Sequence, residues 1–235
     1  MNVLITGGSR GIGAAIARIL APGNTVLVNY LQHEEAARGV AAEVDALGGV
    51  GRVMQGDVRS EGNLTQLAAA FDGVDILVHN AAVGALKPYM DIRTAQWDLT
   101  LESSLRPFWL LTKMCRMNKG GSVIGISSLG SRGYIPGYAA MGAAKAGLEA
   151  LTRQLAVELA PDVRVNTVCG GLVRTDALAY FREGKMMLEA AEQLTPMGRV
   201  GEPADIAAAV ALLCDPRAYW ITGQVLIADG GLSLR

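Results

Sequence analysis

The sequence contains few cysteines and carries almost no net charge. The three cysteines, Cys115, Cys169 and Cys214, are odd in number, far apart and without the spacing of metal ligands. Such a pattern favours buried thiols in a reducing compartment over disulfides or a zinc site, and we expect no bound metal. The formal net charge of −1 and the scattered basic residues give no electrostatic reason to expect nucleic acid or an anionic membrane as a partner.

A long apolar run is also missing. No stretch reaches the ~18 residues that a membrane-spanning helix needs, and the first residues, MNVLIT, have neither the charged start nor the apolar core of a signal peptide. These absences lead us to expect a cytoplasmic protein. What the chain does have is a hydrophobic fraction of 51 % over 235 residues, which is enough for the large core of a single α/β domain covering 1–235.

Short runs rich in Val and Ile alternate with segments of helical periodicity from one end of the chain to the other. Most of the short runs are continuously apolar, as is typical of strands covered on both faces of a parallel sheet. The alternation predicts a single-domain, doubly wound (Rossmann) α/β fold with a seven-stranded parallel sheet. The predicted strands are 2–6, 25–30, 51–57, 74–80, 121–128, 163–168 and 224–229, and the predicted helices are 11–21, 33–48, 61–71, 94–117, 137–160 and 203–214.

One long excursion, at 171–201, separates the sixth predicted strand from the last helix. In an open α/β sheet, an insertion at the carboxyl ends of the strands usually covers the ligand. We therefore predict a substrate lid at about 171–201. Its mobile part is predicted at 176–197, where the apolar side chains are Leu178, Tyr180, Phe181, Met186, Met187 and Leu188.

A glycine-rich turn, TGGSRGIG at 6–13, follows the first predicted strand and opens the first predicted helix. Its glycines permit a tight turn and a close approach of the backbone to a pyrophosphate at a helix N-terminus. Because a strand precedes the turn and a helix follows it, the motif predicts the binding of a dinucleotide cofactor. The residues assigned to this contact are Gly7, Ser9, Arg10, Gly11, Ile12 and Gly13.

The spacing of this turn, T-G-x-x-x-G-x-G, resembles that of the short-chain dehydrogenase/reductase family, and so do GDV at 56–58, HNAA at 79–82 and IADGG at 227–231. The family's N-N-A-G motif differs from HNAA at His79 and Ala82, and we interpret His79 as a strand-end residue without a catalytic part. The resemblance implies further cofactor contacts. They are Asp57 and Val58 at the adenine, Asn80 with Ala81 and Ala82 near its ribose, Thr175 at the carboxamide, and also Gly171 and Val173.

The predicted form of the cofactor is NADPH. An NAD-selective site places an acidic residue at the end of the second strand to bind the ribose 2′-hydroxyl. In this chain that end reads VNYLQH, with Asn29 and Tyr30 as the expected neighbours of the cofactor and no carboxylate. Arg10 in the glycine turn can instead reach a 2′-phosphate and stack on the adenine.

The stretch YAAMGAAK, at 138–145, has a tyrosine seven residues before a lysine. Ketoreductases of the family have Y-x-x-x-K with a serine thirteen residues before the tyrosine, so Met141 stands at the tyrosine position and Ser128 at the serine position. On a helix, Tyr138 and Lys145 fall near one face, with the phenol set back by about 4.5 Å at ~1.5 Å per residue. A donor set back in this way suits an enoyl thioester, because its reduction places charge three bonds from the carbon that accepts hydride.

The Y-x6-K spacing is typical of the family's enoyl-acyl-carrier-protein reductases, and ISSLGS at 126–131 and GGLVRTDAL at 170–178 resemble their enoyl reductase III branch. The resemblance implies NADPH-dependent reduction of a trans-2-enoyl thioester in fatty acid or polyketide-type biosynthesis. It implies catalytic roles for Tyr138, Lys145 and Ser128. It also implies an acyl carrier protein or coenzyme A thioester as partner, and a homotetramer formed through the helices containing 94–117 and 137–160.

Two other functions stay open at this point. The first is a ketoreductase that acts on a β-ketoacyl or polyketide substrate with unusual geometry. Ser104 counts against it, because ketoreductases of the family carry a catalytic asparagine at this position. The second is a non-catalytic NADPH-binding or scaffolding protein, which the retention of both Tyr138 and Lys145 makes the weaker alternative.

Overall fold

A parallel sheet forms the centre of the molecule in the computed structural model, which describes residues 1–176 and 184–235. Within these residues the strands are β1 (Asn2–Thr6), β2 (Thr25–Tyr30), β3 (Val50–Gln55), β4 (Val74–His79), β5 (Met117–Ser128), β6 (Val163–Gly170) and β7 (Val225–Ala228). They lie in the order β3-β2-β1-β4-β5-β6-β7, and every neighbouring pair is parallel. The predicted doubly wound fold with seven parallel strands is confirmed.

Helices connect the strands and cover the sheet. In the described part of the chain they are α1 (Gly11–Ile19), α2 (Glu34–Ala46), α3 (Glu61–Ala68), α4 (Thr94–Ser104), α5 (Arg106–Met114), α6 (Ala139–Glu158), α7 (Gly184–Leu194) and α8 (Pro203–Cys214). None of them combines the length and the hydropathy of a membrane-spanning helix.

Both faces of the central strands are buried, which explains why a strand such as β1 is continuously apolar. Along β1, Val3 and Ile5 belong to a core cluster that includes residues of α1, α2 and α8. Leu4, between them, belongs to the opposite cluster, with residues of α3, α5 and α6. Side chains alternate between the two faces of a strand, so a strand covered on both sides needs an apolar residue at each position.

The predicted helix 94–117 is wrong in one respect, because it consists of two helices and the start of a strand. α4 ends at Ser104, Leu105 has a φ of −119°, and α5 begins at Arg106 with Pro107 in its first turn. A proline inside a helix lacks an N–H donor and clashes with the carbonyl four residues earlier, whereas the first turn accepts it. The strand β5 then begins at Met117, four residues before its predicted start.

The excursion at 171–201 is attached to the rest of the fold near both of its ends. Val173 pairs with Gly201 in an isolated parallel bridge, and the N–H of Met197 donates to the carbonyl of Gly230 at 3.2 Å. α7 lies inside the excursion. Of the predicted apolar lid residues, Leu178, Tyr180 and Phe181 lie outside the described residues, as do the side chains of Met186 and Met187.

Candidate active site

Most of the predicted site residues lie at or just after the carboxyl ends of strands β1 to β6, and four of these ends belong to adjacent strands around the glycine turn. Thr6 ends β1, His79 ends β4, Ser128 ends β5 and Gly170 ends β6. The strand order reverses between β1 and β4, and ligands of open α/β sheets bind in the crevice at such a switch point.

The glycine turn has the backbone geometry of a phosphate cradle. Gly7 and Gly11 have φ values of +62° and +53°, which favour glycine, and an ideal Cβ on Gly13 would lie 2.3 Å from the carbonyl oxygen of Gly7. α1 begins at Gly11, so its first N–H groups have no acceptor within the helix and point out of its end. The turn therefore fits the pyrophosphate of a dinucleotide, with Ser9 and Ile12 half-buried beside it.

Asn80 and Ala81 are held directly against this turn. The hydroxyl oxygen of Thr6 accepts the N–H groups of both residues at 3.1 Å, and the amide nitrogen of Asn80 donates to the carbonyl of Gly7 at 2.8 Å. An ideal Cβ on Gly7 would approach the Cα of Ala81 to 2.9 Å. The structure thus places Asn80 as the link between β4 and the turn, while Ala82, next along the chain, is exposed.

Asn29 and Tyr30, predicted as neighbours of the cofactor, have buried side chains that support the turn and the core. The amide of Asn29 accepts the N–H of Gly7 at 3.3 Å and donates to the carbonyl of Gly56 at 3.0 Å. Tyr30 is 6 % exposed and belongs to the core cluster beneath α1 and α2. The amide of Asn29 is thus engaged within the fold, and the missing carboxylate at this strand end is the feature that bears on cofactor choice.

Arg10 has the placement that the cofactor prediction requires. Its side chain is exposed at the N-terminal end of α1, and within residues 1–176 and 184–235 its guanidinium group has no hydrogen-bond or ion-pair partner. An unpaired cation beside a phosphate cradle is free to bind an anion.

The predicted adenine contacts differ in their surroundings. The carboxylate of Asp57 is paired with Arg59, whose guanidinium Nε lies 3.0 Å from both oxygens, and this hydrogen bonding lowers the pKa of Asp57. Val58 is 8 % exposed and packs into the core cluster on the α3 side. Their contact with adenine stays a prediction.

The segment after β6 contains the remaining predicted cofactor contacts, Gly171, Val173 and Thr175. The N–H of Gly171 donates to the carbonyl of Ala228 at 3.1 Å, and Val173 is buried at its bridge to Gly201. The methyl group of Thr175 lies 3.6 Å from an ideal Cβ on Gly11, so Thr175 lies directly beside the glycine turn.

Tyr138 and Ser128 form a hydrogen-bonded pair. Tyr138 is the residue immediately before α6, and its carbonyl accepts the N–H of Gly142 at 2.7 Å, so the axial spacing expected for the helix holds from this residue onwards. Its phenol is hydrogen-bonded to Ser128; burial raises the pKa of Tyr138, and this hydrogen bond lowers it. Tyr134, by contrast, lies in the loop before the helix and is 90 % exposed.

Lys145 is buried on α6 with its ammonium group near the strand ends. Its Nζ donates to the carbonyl of Ile126 at 2.7 Å, and burial lowers its pKa to about 8. Cys169 lies close enough to interact electrostatically with both Lys145 and Tyr138, and burial raises the pKa of this thiol to about 11. As predicted, all three cysteines are buried free thiols.

The side chain of His79 is neutral and joins β4 to β1 and α4 through hydrogen bonds. The hydroxyl oxygen of Thr6 already accepts two backbone N–H groups, so its proton donates to Nδ1 of His79 at 3.4 Å. Nε2 then carries the ring proton and donates to the carbonyl of Ser104 at 3.3 Å. Burial, together with the charge of Lys145, lowers the pKa of His79 to about 3. The imidazole therefore ties β1 and β4 to the end of α4 without titrating near neutrality.

Met141 occupies an enclosed space between α6, α4 and the loop after β4. It is 8 % exposed, and an ideal Cβ on Gly84 would lie 2.4 Å from its sulfur and 2.7 Å from the Cγ2 of Thr100. The position four residues before Lys145 is thus occupied by the buried thioether side chain of Met141.

Sequence reasoning missed Glu149. This carboxylate, 6 % exposed, accepts hydrogen bonds from the hydroxyls of Ser127 and Ser131 at 2.7 and 2.6 Å and from the Nε of Arg132 at 3.1 Å. The available signal was its position four residues after Lys145, which places both side chains on the same buried face of α6. Across the described ranges, no three His, Cys, Asp or Glu side chains converge as metal ligands.

A phosphate cradle at the switch point of a parallel sheet, with a Tyr/Ser pair and a buried lysine beside it, defines a dinucleotide-dependent oxidoreductase. A family model described as Enoyl-(Acyl carrier protein) reductase matches residues 7–233. The chain belongs to the short-chain dehydrogenase/reductase family, whose members use a nicotinamide cofactor, NAD or NADP.

Relatives and solved structures span nearly the whole chain. The 1-cyclohexenylcarbonyl-CoA reductase of Streptomyces collinus is 39 % identical, with 98 % of this chain and 86 % of that protein covered. A 3-oxoacyl-[acyl-carrier-protein] reductase of Synechocystis sp. is 35 % identical, with 97 % and 95 % covered. The crystal structure of a dehydrogenase/reductase from Sinorhizobium meliloti 1021 superposes with a TM-score of 0.90 at 33 % identity, covering 98 % of this chain and 94 % of that one.

Proposed function

We propose that the protein uses NADPH to reduce the carbon–carbon double bond of a trans-2-enoyl thioester. The observation that carries this proposal is the position of the phenol. Tyr138 lies seven residues before Lys145 and is hydrogen-bonded to Ser128, whereas the position four residues before the lysine is filled by buried Met141.

The set-back phenol suits the charge that develops in this reaction. When bound, the cofactor would supply hydride to the β-carbon of the substrate, and negative charge would then appear on the thioester oxygen. Uptake of a proton at the α-carbon, from solvent or through a relay, would complete the saturated thioester. A hydrogen-bond donor stabilises the transition state only where charge develops, so the acid for this oxygen must stand away from the hydride-accepting carbon. Tyr138 meets that requirement from the start of α6, and its raised pKa keeps the phenol protonated and able to donate at neutral pH.

Lys145 supplies positive charge to the same region. Its pKa of about 8 leaves most molecules protonated at pH 7. The hydrogen bond to the carbonyl of Ile126 fixes the nitrogen and uses one of its three protons, so two protons remain that would bind the cofactor ribose and support the developing charge. Ser128 holds the phenol and stabilises its charged form during proton transfer.

The preference for NADPH rests on Arg10 and on the end of β2. Arg10 is exposed and unpaired within the described residues, and Tyr30 ends β2 with no carboxylate beside it. A free guanidinium group binds a 2′-phosphate in a bidentate manner, and an NAD-selective site needs the carboxylate that is missing.

The relatives add support for the substrate class. The name of the Streptomyces collinus protein describes a double bond next to a thioester carbonyl, and the matching family model is described by an enoyl-acyl-carrier-protein substrate. We propose accordingly that the acyl group is delivered by an acyl carrier protein or by coenzyme A in the cytoplasm, and that the enzyme is a homotetramer. The predicted lid at about 171–201 would cover the acyl chain.

A specific observation favours a second candidate, reduction of a β-ketoacyl thioester. The Synechocystis relative at 35 % identity is a 3-oxoacyl-[acyl-carrier-protein] reductase. Ketone reduction would need a proton donor beside the hydride-accepting carbon, where this chain has Met141.

One assay separates these functions. Purified protein and NADPH are incubated with crotonyl and acetoacetyl thioesters of both coenzyme A and acyl carrier protein, and products are identified by mass spectrometry. Formation of the butyryl thioester supports the proposal. Formation of only the 3-hydroxybutyryl product overturns it in favour of ketone reduction, and NADPH binding without turnover of either substrate favours a non-catalytic role.

A further inference from the structure

The buried carboxylate of Glu149 is bound to one short segment of chain. All three of its hydrogen-bond donors, Ser127, Ser131 and Arg132, come from the end of β5 and the turn that follows it. A buried carboxylate needs such donors because removal from water otherwise favours its neutral form. Ser128, the hydrogen-bond partner of the Tyr138 phenol, lies within this segment.

The same turn also supports the ring of Tyr138. An ideal Cβ on Gly130 would lie 2.3 Å from the Cδ1 of Tyr138, and an ideal Cβ on Gly142 would lie 2.6 Å from the carbonyl oxygen of Gly130. The phenol ring therefore rests directly on the backbone of Gly130. The hydroxyl oxygen of Ser128 also accepts the N–H of Gly130 at 3.4 Å, so the turn and the serine are joined.

The turn 129–131 is thus held by α6 at two places. Near the start of α6, Tyr138 and Gly142 pack on Gly130; two turns further on, Glu149 binds the side chains of Ser131 and Arg132. Ser131 adds a connection to the catalytic serine, because its hydroxyl lies 2.7 Å from the carbonyl oxygen of Ser128.

We infer that Glu149 is a positioning residue for the Ser128–Tyr138 pair. It acts through the turn 129–131, which it fixes against α6, and has no contact with the reacting atoms. The inference rests on the proposed function in one respect, namely that Tyr138 is the acid. A small displacement of a positioned acid lowers turnover strongly, whereas the glycine turn at 6–13, on other strands, is untouched by the change.

The test uses Glu149→Gln, which keeps the shape of the side chain and removes its charge. The matched control is Glu158→Gln on the solvent-exposed side of the same helix. We expect kcat for crotonyl thioester to fall between about 10- and 100-fold in Glu149→Gln, the range for misplacement of a catalytic group, with the Kd for NADPH changed less than about 2-fold. Glu158→Gln should match the wild type in both.

A double-variant cycle separates positioning from general stability. In the Tyr138→Phe background, Glu149→Gln should lower kcat by less than about 2-fold, because the group that it positions is gone. Independent, multiplying effects of the two changes would overturn the inference. So would a kcat for Glu149→Gln equal to that of the wild type.

Two further variants test the route through the turn. Gly130→Ala must displace the ring of Tyr138 and should lower kcat in the same way. Gly133→Ala is the control and should not lower kcat, because the nearest atom to its new methyl group among residues 1–176 and 184–235, outside the adjoining residues, lies 3.8 Å away. Ser131→Ala removes one donor to Glu149 with less risk to folding, and should give a smaller loss in the same direction.

Hydrogen exchange provides a readout that does not depend on the substrate. Glu149→Gln should speed amide exchange at 128–138 and leave exchange at 6–14 unchanged. Uniform acceleration across the protein would indicate a general loss of stability and overturn the inference. If Tyr138→Phe keeps full enoyl turnover, Tyr138 is not the acid and the proposed function is contradicted. If Tyr138→Phe is impaired and Glu149→Gln is not, only the positioning role of Glu149 is contradicted.

Discussion

The sulfur of Met141 lies 3.8 Å from the hydroxyl oxygen of Ser104, at the two positions where ketoreductases of the family carry tyrosine and asparagine. Both residues are buried, and Ser104 is also bound through its carbonyl to His79. The tyrosine and the asparagine that serve ketone reduction in those enzymes are therefore replaced here by a buried contact between Met141 and Ser104. The acid that we propose instead is Tyr138, which lies one helical turn earlier in the chain.

Replacing Tyr138 by phenylalanine removes the proposed acid with little change in shape. Enoyl turnover should fall by a factor of about 10² or more, the usual contribution of a positioned acid, while NADPH binding stays nearly intact. Steady-state kinetics and fluorescence titration of NADPH measure the two effects. Tyr134→Phe is the matched control, since this phenol is 90 % exposed, and its kinetics should equal those of the wild type. Equal losses in the two variants would speak against a specific role for Tyr138.

Adding Met141→Tyr to Tyr138→Phe returns a phenol to the position four residues before Lys145. We expect this double variant to recover little enoyl reduction, because the donor then stands beside the hydride-accepting carbon instead of the thioester oxygen. The new ring must also fit against Gly84, where an added Cβ would already lie 2.4 Å from the Met141 sulfur. Product analysis with crotonyl and acetoacetyl thioesters measures the outcome. Full recovery of crotonyl reduction would show that the offset of the phenol does not select the reaction.

Arg10→Ala should weaken the preference for NADPH over NADH. Loss of a charged hydrogen bond to the 2′-phosphate corresponds to about 1–3 kcal/mol in selectivity, or roughly 5- to 150-fold in the ratio of kcat/KM values. Arg18→Ala, on the same helix but ion-paired with Glu43, should leave that ratio unchanged. A wild type that uses both cofactors equally well would contradict the assignment.

We expect kcat/KM to decrease as the pH is raised above about 8. Burial lowers the pKa of Lys145 to about 8, so raising the pH through this value removes the positive charge that supports turnover. The same burial raises the pKa of Tyr138, so the phenol stays protonated in this range. Because kcat/KM reports the free enzyme, its profile tests these groups directly.

Two variants assign the alkaline limb of that profile. Lys145→Arg keeps its charge at any accessible pH and should move the limb upward or abolish it. Cys169→Ala removes a neighbouring thiol whose pKa is about 11, and should leave the limb in place. A limb near pH 8 that persists in Lys145→Arg would assign it to another group.

The sheet was predictable because its signal is local and repeated. Most of the strands contain a short apolar run, and burial on both faces favours that pattern at successive residues, as Val3, Leu4 and Ile5 show. The break between α4 and α5 is local too, since Pro107 marks it, but the apolar periodicity on either side of it favoured one long helix. A helix boundary set by a single proline is easily masked by such periodicity.

The site was predictable only in part, because several roles depend on distant partners. Their spacing in the sequence identified Tyr138 and Lys145, because Tyr138 immediately precedes α6 and Lys145 lies within that helix. It did not reveal that the side chains of Asn29 and Tyr30 turn inward, since their partners Gly7, Gly56 and the core come from other parts of the chain. Glu149 was missed for the same reason: a carboxylate on a helix is normally solvated, and its donors are known only once β5 lies beside α6.

The bridge between Val173 and Gly201 has a consequence for how the substrate range of this protein can diversify. The two ends of the intervening segment meet side by side, so the segment enters and leaves the fold at nearly the same point. Insertions or deletions between the two residues change the length of this segment, and the entropic cost of closing a loop grows only logarithmically with its length. Such changes leave the register of β6 and β7 unaltered. Under the proposed function, in which this segment covers the acyl chain, we therefore expect the substrate range to change through residues of this segment while the sheet stays intact. Thr175 and Met197, which lie against Gly11 and Gly230, would have to be kept.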